Sequence, residues 1–349
     1  VIGLGIAGGC AAVEAASNGA RVLVLERAAA AGGTTALAGG HFYLGGGTAV
    51  QKATGHEDSA EEMERYITAV SSDPEPDKIH AYCVDSVEHF DWLEALGFQF
   101  ERSYYPEKAV VQPETQGLMY TGNEKVWPFN TMAVPAPRGH KVPVPGDTGG
   151  AAMIVELLVK RLADLGVEVR YETGARQLVV DDGAVAGVAW HSPGSGDGVI
   201  RAKGVVIAAG GFVMNSDMVA ENVPWLAEKP YVLGNTYDDG LGLRMGRSVG
   251  AALKYMDKAF ITAPISAVNS SIALESRGVC SITALPSAAA FGNALRRTID
   301  VGSTSIPSIS PIISKAASLS APCASAPFST ATARKPSLIS RASATSAET

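Results

Sequence analysis

Gly3-x-Gly5-x-x-Gly8, set between Val1-Ile2 and an Ala-rich run ending near Asn18, constrains this chain more than any other feature. After a strand and at the start of a helix, the three glycines have separate tasks: a sharp turn, a close backbone approach to a pyrophosphate, and tight packing of helix on strand. The helix N-terminus adds N–H groups and the positive end of its dipole, which suit a phosphate. Arg21-Val22-Leu23-Val24-Leu25-Glu26 then reads as the next strand, so the opening is half of a βαβ unit. Glu26, 18 residues after Gly8, stands where a carboxylate accepts hydrogen bonds from ribose hydroxyls. An acid there disfavours a 2′-phosphate, and with it NADP.

The remainder follows the logic of an α/β protein. A Gly/Thr/Ala loop from Ala31 to Gly47 is so rich in glycine that its backbone must run in tight turns or close to a ligand. Ser59-Ala60-Glu61-Glu62 has the pattern of a capping box for a helix reaching Val70. Apolar residues at Ile79, Cys83, Val87, Phe90, Leu93 and Leu96 predict one helix over 77–96, stopped by Gly97. From Phe98 to Gly150 the chain is aromatic and Pro-rich without periodicity, which suggests an active-site wall. A helix over 151–165 is followed by strand-like runs at 167–171, 177–180 and 184–190, the last two joined by Asp181-Asp182-Gly183. These predict an antiparallel β-meander inserted into a Rossmann-like α/β fold, to whose parallel sheet the run 204–209 returns.

With 46% hydrophobic and 18% charged residues, the chain can bury a large core, and a net charge of -7 offers no footprint for nucleic acid. No apolar stretch reaches the roughly 20 residues of a membrane span, and no signal peptide opens the chain. A cytoplasmic protein with a small-molecule partner is expected. Cys10, Cys83, Cys280 and Cys323 form neither a metal-ligand spacing nor a redox pair, so no metal is expected.

At this point the sequence resembles the fumarate reductase/succinate dehydrogenase flavoproteins, whose relatives include the 3-ketosteroid dehydrogenases. The resemblance runs from Val1 to Ile265 and is carried by four segments. They are Val1-Ile-Gly-Leu-Gly-Ile-Ala-Gly8, Gly32-Gly-Thr-Thr-Ala-Leu-Ala-Gly-Gly40, Val205-Val-Ile-Ala-Ala-Gly-Gly211, and Asp239-Gly-Leu-Gly242 ahead of Gly250-Ala251. It implies FAD as cofactor, with Gly3, Gly5, Ala7, Gly8, Glu26 and Arg27 contributing from the first unit. Gly32, Gly33, Thr34, Thr35, Gly39 and Gly40 would pass along the flavin and its pyrophosphate, Ala209, Gly210 and Gly211 would make a second backbone approach, and Asp239-Gly240 would close the site. Covalently flavinylated relatives carry Ser-His-Thr where this chain has Gly32-Gly33-Thr34, so non-covalent FAD is implied. Asp238 replaces the usual Gly before the Asp-Gly pair, a departure that puts the role of Asp239 in question.

The resemblance further implies an FAD-dependent oxidoreductase that adds or removes hydrogen across a C–C bond next to a carbonyl, with a protein acid or base moving the proton. The aromatic stretch from Phe98 to Phe129 favours a bulky apolar enone such as a ketosteroid over fumarate. Arg138-Gly139-His140-Lys141 reads either as a cationic element that stabilises reduced flavin or as a solvated basic loop. Tyr104, Tyr105, Tyr120 and Trp127 could line an apolar pocket, but such aromatics are more often core, and no role is assigned to them. Catalytic residues remain unknown, because the family's capping domain should begin where the resemblance stops.

Composition changes at that point: residues 266–349 hold 19 serines but 3 of the 38 glycines. A chain of two parts is therefore expected, an FAD-binding segment over 1–265 and a Ser/Ala/Pro-rich tail, poorly ordered or read out of frame. Family-like sequence in another reading frame of the gene would bear out the second account, and its absence from both would refute it. Val1-Ile2 is also short for a strand of about five residues, which points to a fragment. The rivals are an NAD-dependent dehydrogenase, which explains neither the Gly32–Gly40 loop nor Gly210-Gly211, and an inactive FAD-binding remnant.

Overall fold

The computed structural model describes residues 1–107, 113–146, 149–226 and 234–258. The Ser-rich tail, Cys280 and Cys323 lie outside the described residues.

The chain enters as predicted. Ile2 leads through the glycine turn into α1 (Ile6–Ser17), and β1 (Leu23–Leu25) follows. Ile2 lies between two parallel neighbours, bridging Leu25 on one side and Ile207 on the other. A 3-10 turn (Gly33–Leu37) leads to β2 (His41–Tyr43) and α2 (Ala49–Ala53). The full capping box is here, where Thr48 and Gln51 satisfy each other's backbone N–H groups.

The box predicted for α3 (Ala60–Val70) is only half made. Ser59 accepts from the Glu62 N–H, but the Glu62 carboxylate turns outward to Arg65 and the Val134 N–H.

The single helix predicted over 77–96 is two, α4 (Pro76–Val84) and α5 (Ser86–Ala95), hinged at Asp85 with φ -84° and ψ 1°. The hydrogen-bond ladder runs through the hinge, from Asp85 N–H to Ala81 and from His89 N–H to Asp85. Ser86, the first residue of α5, has a buried hydroxyl that accepts from the Gly45 N–H at 2.9 Å and so ties α5 to the glycine loop.

The aperiodic Phe98–Gly150 stretch is more regular than predicted. It supplies β3 (Leu118–Met119), α6 (Phe129–Met132) and β4 (Gly139–Lys141), and β2-β4-β3 form an antiparallel sheet. The aromatics of this region divide between roles: Phe98 and Phe100 pack edge-on against Phe42 in the main core, whereas Trp127 is exposed.

After α7 (Ala152–Asp164), β5 (Glu168–Arg170) pairs parallel with β1 in register Leu23↔Glu168. The run at 167–171 therefore belongs to the parallel sheet and not to the meander; its neighbour is chosen by the short α7–β5 connection, which returns the strand beside β1. The meander itself is β6 (Gly174–Asp181), β7 (Ala184–Ser192) and β8 (Gly196–Arg201). Asp182 and Gly183 both have positive φ, 48° and 75°, as a two-residue hairpin turn requires. The sequence reading missed β8 because its alternation is masked by Gly196, Asp197 and Gly198. Two short helices complete the described fold, α8 (Ser216–Asn222) and α9 (Leu241–Ser248).

The main core lies between α1, α7 and the β2-β4-β3 sheet, with Leu4, Phe42, Phe90, Leu118 and Leu158 almost fully enclosed. A second cluster joins Ile2 and Leu25 to Leu178 and Val188 of the meander and Met245 of α9. The predicted α/β class, with a parallel sheet and separate antiparallel sheets, is what the chain forms.

Candidate functional site: a dinucleotide cradle

Each glycine of the first segment has its own physical reason. Gly3 has φ 93°, and a Cβ on it would overlap the Ala208 carbonyl oxygen; a Cβ on Gly8 would overlap the Gly3 carbonyl oxygen. These two seal the turn against the strand entering at Ala208 and against α1. Gly5 differs, since its Cβ would lie 3.2 Å from the Thr35 hydroxyl. It is the N-cap of α1 and supplies no side-chain acceptor. Gly5 and Ala7 remain partly exposed, so the positive end of α1 faces a region that suits an anion.

The second segment is drawn against the first. The Gly32 N–H donates to the Leu4 carbonyl at 2.8 Å, and the Thr35 hydroxyl accepts from the Ile6 N–H at 3.0 Å. Gly33, with φ 51°, has nothing within 4 Å of its would-be Cβ, and Thr34 is exposed. Gly39 and Gly40 are buried, and a Cβ on Gly40 would overlap Val142 and crowd the Gly150 backbone.

Glu26 is buried and already has two backbone partners: Oε2 accepts from the Leu4 N–H at 2.7 Å and Oε1 from the Ala28 N–H at 2.8 Å. The carboxylate thus ties its strand end to the glycine turn.

The fourth segment reaches back over both others. Arg27 Nη1 donates to Asp239 Oδ2 at 2.7 Å, and its guanidinium stacks 4.4 Å from the Tyr237 ring centroid. Asp239 Oδ1 accepts from the Leu241 N–H at 2.9 Å at the start of α9. Partial burial pushes this carboxyl up, but the bonds from Arg27 and Leu241 and the charges of Arg27 and Arg244 outweigh it, holding it below the usual carboxylate range. Asp238, the departure from the family pattern, is bonded by the Thr34 hydroxyl and the Asn235 N–H, and Asn235 N–H also reaches Thr34 at 2.8 Å. A Cβ on Gly210, which has φ 75°, would overlap Asp238 Oδ1, and the Gly240 N–H donates to the Gly211 carbonyl at 2.9 Å. Gly211 is open, with nothing within 4 Å of a would-be Cβ, and Ala209 lies beneath Gly242. All four predicted segments therefore converge.

Sequence reasoning missed the supporting residues. Asn215 caps α8 and donates to the Asp239 carbonyl at 3.0 Å, while Tyr237 stacks on Arg27. Only Asp238 carried a signal, as an acid where a glycine was expected.

Arg138-Gly139-His140-Lys141 is not a solvated loop. Arg138, His140 and Lys141 are fully buried. Arg138 forms a two-point ion pair with Asp58, at 2.9 and 2.6 Å, so its charge is used internally. Burial drives His140 down to about 4, which keeps it neutral beside the Thr48 hydroxyl at 2.8 Å. Lys141 donates to the Glu114 and Val144 carbonyls. Phe90 and Phe100 stand 5.3 and 5.9 Å from the His140 ring and the Tyr66 ring lies 5.6 Å from the Arg138 guanidinium, a tertiary enclosure invisible in the composition of the strand. Among the described residues no cluster could hold a metal, and no helix is long and apolar enough to cross a membrane.

The profile of the FAD binding domain family matches residues 1–295, past the Ile265 at which the resemblance was expected to stop. The chain is 32% identical over 197 residues to a 3-oxo-5-alpha-steroid 4-dehydrogenase of Comamonas testosteroni, covering 54% of this chain and 36% of that protein. It is 27% identical to the probable fumarate reductase Ifc3 of Shewanella frigidimarina, covering 74% of this chain and 39% of the relative. Among solved structures, 3-ketosteroid-delta4-(5alpha)-dehydrogenase from Rhodococcus jostii RHA1, in complex with 4-androstene-3,17-dione, superposes with a TM-score of 0.70 at 42% identity. That match covers 73% of this chain and 54% of the solved one, so the chain spans about half the length or less of these relatives. With the cradle of glycine turns, helix N-terminus and acidic strand end in place, the chain belongs to the FAD binding domain family and FAD is its cofactor.

Proposed function

We propose that this protein belongs to an FAD-dependent dehydrogenase acting on the C–C bond beside the carbonyl of a 3-ketosteroid, and that it binds FAD without a covalent link. The observation that carries this reading is the 42% identity to a solved steroid dehydrogenase over 73% of the chain, backed by a second steroid dehydrogenase among the curated relatives. The fumarate reductase relative is less similar, at 27%.

In this reading, residues 1–265 form the FAD-binding segment, a Rossmann-like arrangement supported by Ile2 lying parallel between Leu25 and Ile207. The α1 N-terminus at Gly5 and Ala7, with Gly32 and Gly33 opposite, takes the pyrophosphate. Glu26 accepts from the ribose, Arg27 frames that end, and Thr34, Thr35, Gly39 and Gly40 line the path onward. Ala209, Gly210, Gly211 and Gly240 let the backbone approach from the other side, while Asp239 works through Arg27. Bound FAD supplies the two-electron acceptor for hydride. No residue equivalent to a flavin-linking histidine stands at Gly32-Gly33-Thr34, which supports release of the cofactor on denaturation.

The test is the visible spectrum of the purified 349-residue protein, then acid precipitation, then oxidation of a 3-oxo-5α-steroid with an artificial electron acceptor. Yellow colour released to the supernatant and steroid oxidation are expected. Turnover of fumarate but not of steroid would replace the substrate assignment, and flavin binding without any turnover would favour the remnant reading.

A further inference from the structure

Asp238 stands where the family pattern has glycine. Its main chain is held on the side of the third segment: its carbonyl accepts from the Met214 N–H at 2.9 Å, and two residues on the Gly240 N–H donates to the Gly211 carbonyl at 2.9 Å. Its carboxylate lies over Gly210, where a Cβ would overlap Oδ1. From there the other oxygen reaches the second segment, and Oδ2 accepts from the Thr34 hydroxyl.

Asn235 reinforces that link. Its N–H donates to Thr34 Oγ1 at 2.8 Å and also reaches Asp238 Oδ2 at 3.3 Å. Among the described residues these are the hydrogen bonds that join the second segment to the turn at 234–239. They occupy the Thr34 hydroxyl from both sides, its one proton given to Asp238 and a lone pair taken by Asn235, so it has no proton to offer a phosphate.

The two segments so joined both hang on the first. The Gly32 N–H donates to the Leu4 carbonyl at 2.8 Å, and the Ala208 N–H donates to the Ile2 carbonyl at 2.8 Å. Gly32 and Thr35 place a carbonyl oxygen and a hydroxyl 3.6 and 3.2 Å from the position of a Cβ on Gly5, the N-cap of α1. Ala208 and Ala209 crowd Gly3 on the strand side. The Asp238 carboxylate therefore supplies the remaining link, second segment to third, in a ring of backbone around the positive end of α1.

We propose that Asp238 is a positioning residue of the cradle, whose carboxylate clasps the second segment to the third and so slows the escape of bound FAD. The clasp acts through the Thr34 hydroxyl. Its working feature is the acceptor oxygen and not the negative charge, since a like charge near a diphosphate repels it. The inference rests on FAD occupying the cradle and adds a residue outside those that would touch it.

The test uses the FAD-loaded full chain as wild type, Thr34→Val, Asp238→Ala, the double variant of these two, and Asp238→Asn. Transfer of FAD to an excess of a flavin-free acceptor flavoprotein is timed, and the melting temperatures of the flavin-free forms are measured in parallel. Thr34→Val and Asp238→Ala should each release FAD roughly 3- to 10-fold faster, as loss of one hydrogen bond allows. The double variant should be no faster than either, because both remove the same contact. Asp238→Asn keeps an acceptor for Thr34 and should release FAD as slowly as wild type or more slowly. Melting temperatures should change little, because the contact is exposed.

Single effects that multiply in the double variant, Asp238→Asn as fast as Asp238→Ala, or equal release from every form would each overturn the clasp while leaving FAD in place. Melting temperatures that fall in step with faster release would also overturn it, as a general loosening. A wild type that takes up no FAD would overturn both the cofactor reading and the clasp.

Discussion

Arg27 and Asp239, 212 residues apart, meet at 2.7 Å and join the end of β1 to the start of α9. Both side chains are about one-third exposed, 34% and 29%, so the pair itself contributes little to stability. Its value is geometric, holding the fourth segment over the cradle.

Arg27→Gln should cost only about 0.5 kcal/mol of unfolding free energy, yet weaken FAD roughly five- to tenfold, equivalent to about 1 to 1.4 kcal/mol of binding. Asp239→Asn should do the same to FAD. Denaturant titration and FAD titration on the same samples separate the two effects, and parallel losses in both would refute a positioning role. Because the Asp239 carboxyl is held below its usual value of 3.8, its stabilisation is full above that pH and is lost as acid takes the pH below it.

Two of the motif glycines, Gly8 and Gly5, should respond differently. Gly8→Ala places a methyl into the Gly3 carbonyl oxygen, so it should destabilise by more than about 2 kcal/mol and abolish FAD retention together. Gly5→Ala meets only the Thr35 hydroxyl at 3.2 Å and should fold while binding FAD less tightly. Thermal melts with and without FAD read both outcomes.

Breaking the enclosed Arg138–Asp58 pair should be costly, since both side chains are 0% exposed. Asp58→Asn leaves an uncompensated guanidinium and should cost about 3–5 kcal/mol in chemical denaturation. A loss under 1 kcal/mol would show that the pair is dispensable.

His140 predicts a specific pH dependence. Buried as a neutral ring and pushed to about 4, it binds no proton in the folded state at pH values where the unfolded chain, near 6.5, does. Stability should therefore fall as pH drops from 6.5 towards 4, by up to about 1.4 kcal/mol per pH unit from this residue. His140→Gln, followed by denaturation across that range, should flatten the slope.

Glu75 gathers Lys78, Lys254 and Tyr255, with Tyr255 Oη donating to it at 2.5 Å, and so fastens residues 254–255 to the N-terminus of α4. Partial burial works against ionisation, but these hydrogen bonds prevail and bring Glu75 down to about 2. Its stabilisation is complete above pH 4.5 and disappears as pH falls towards 2. Tyr255→Phe should speed limited proteolysis around residue 255 without changing the FAD spectrum.

What the sequence by itself determined was local. The glycine turn, α1, β1, the α7 helix and the Asp182-Gly183 hairpin follow from backbone freedom and apolar period, both of which are written in neighbouring residues. The cradle's four segments were legible as a set only through their resemblance, in order, to a flavoprotein family, since each glycine run taken alone reads as an ordinary turn. What only the tertiary structure decided was which distant groups meet. Lys141 and Arg138 are charged, and by composition they stand open between a flavin-facing cation and a solvated loop; neighbouring elements bury them and Asp58 takes up the Arg138 charge. β5 resembles the meander strands and joins β1 instead, because pairing is selected by chain path and not by composition. The same holds for Asp238 and Asp239, whose partners Thr34 and Arg27 lie 204 and 212 residues away. Such contacts form only after the intervening chain has folded and carry no periodic trace in the sequence.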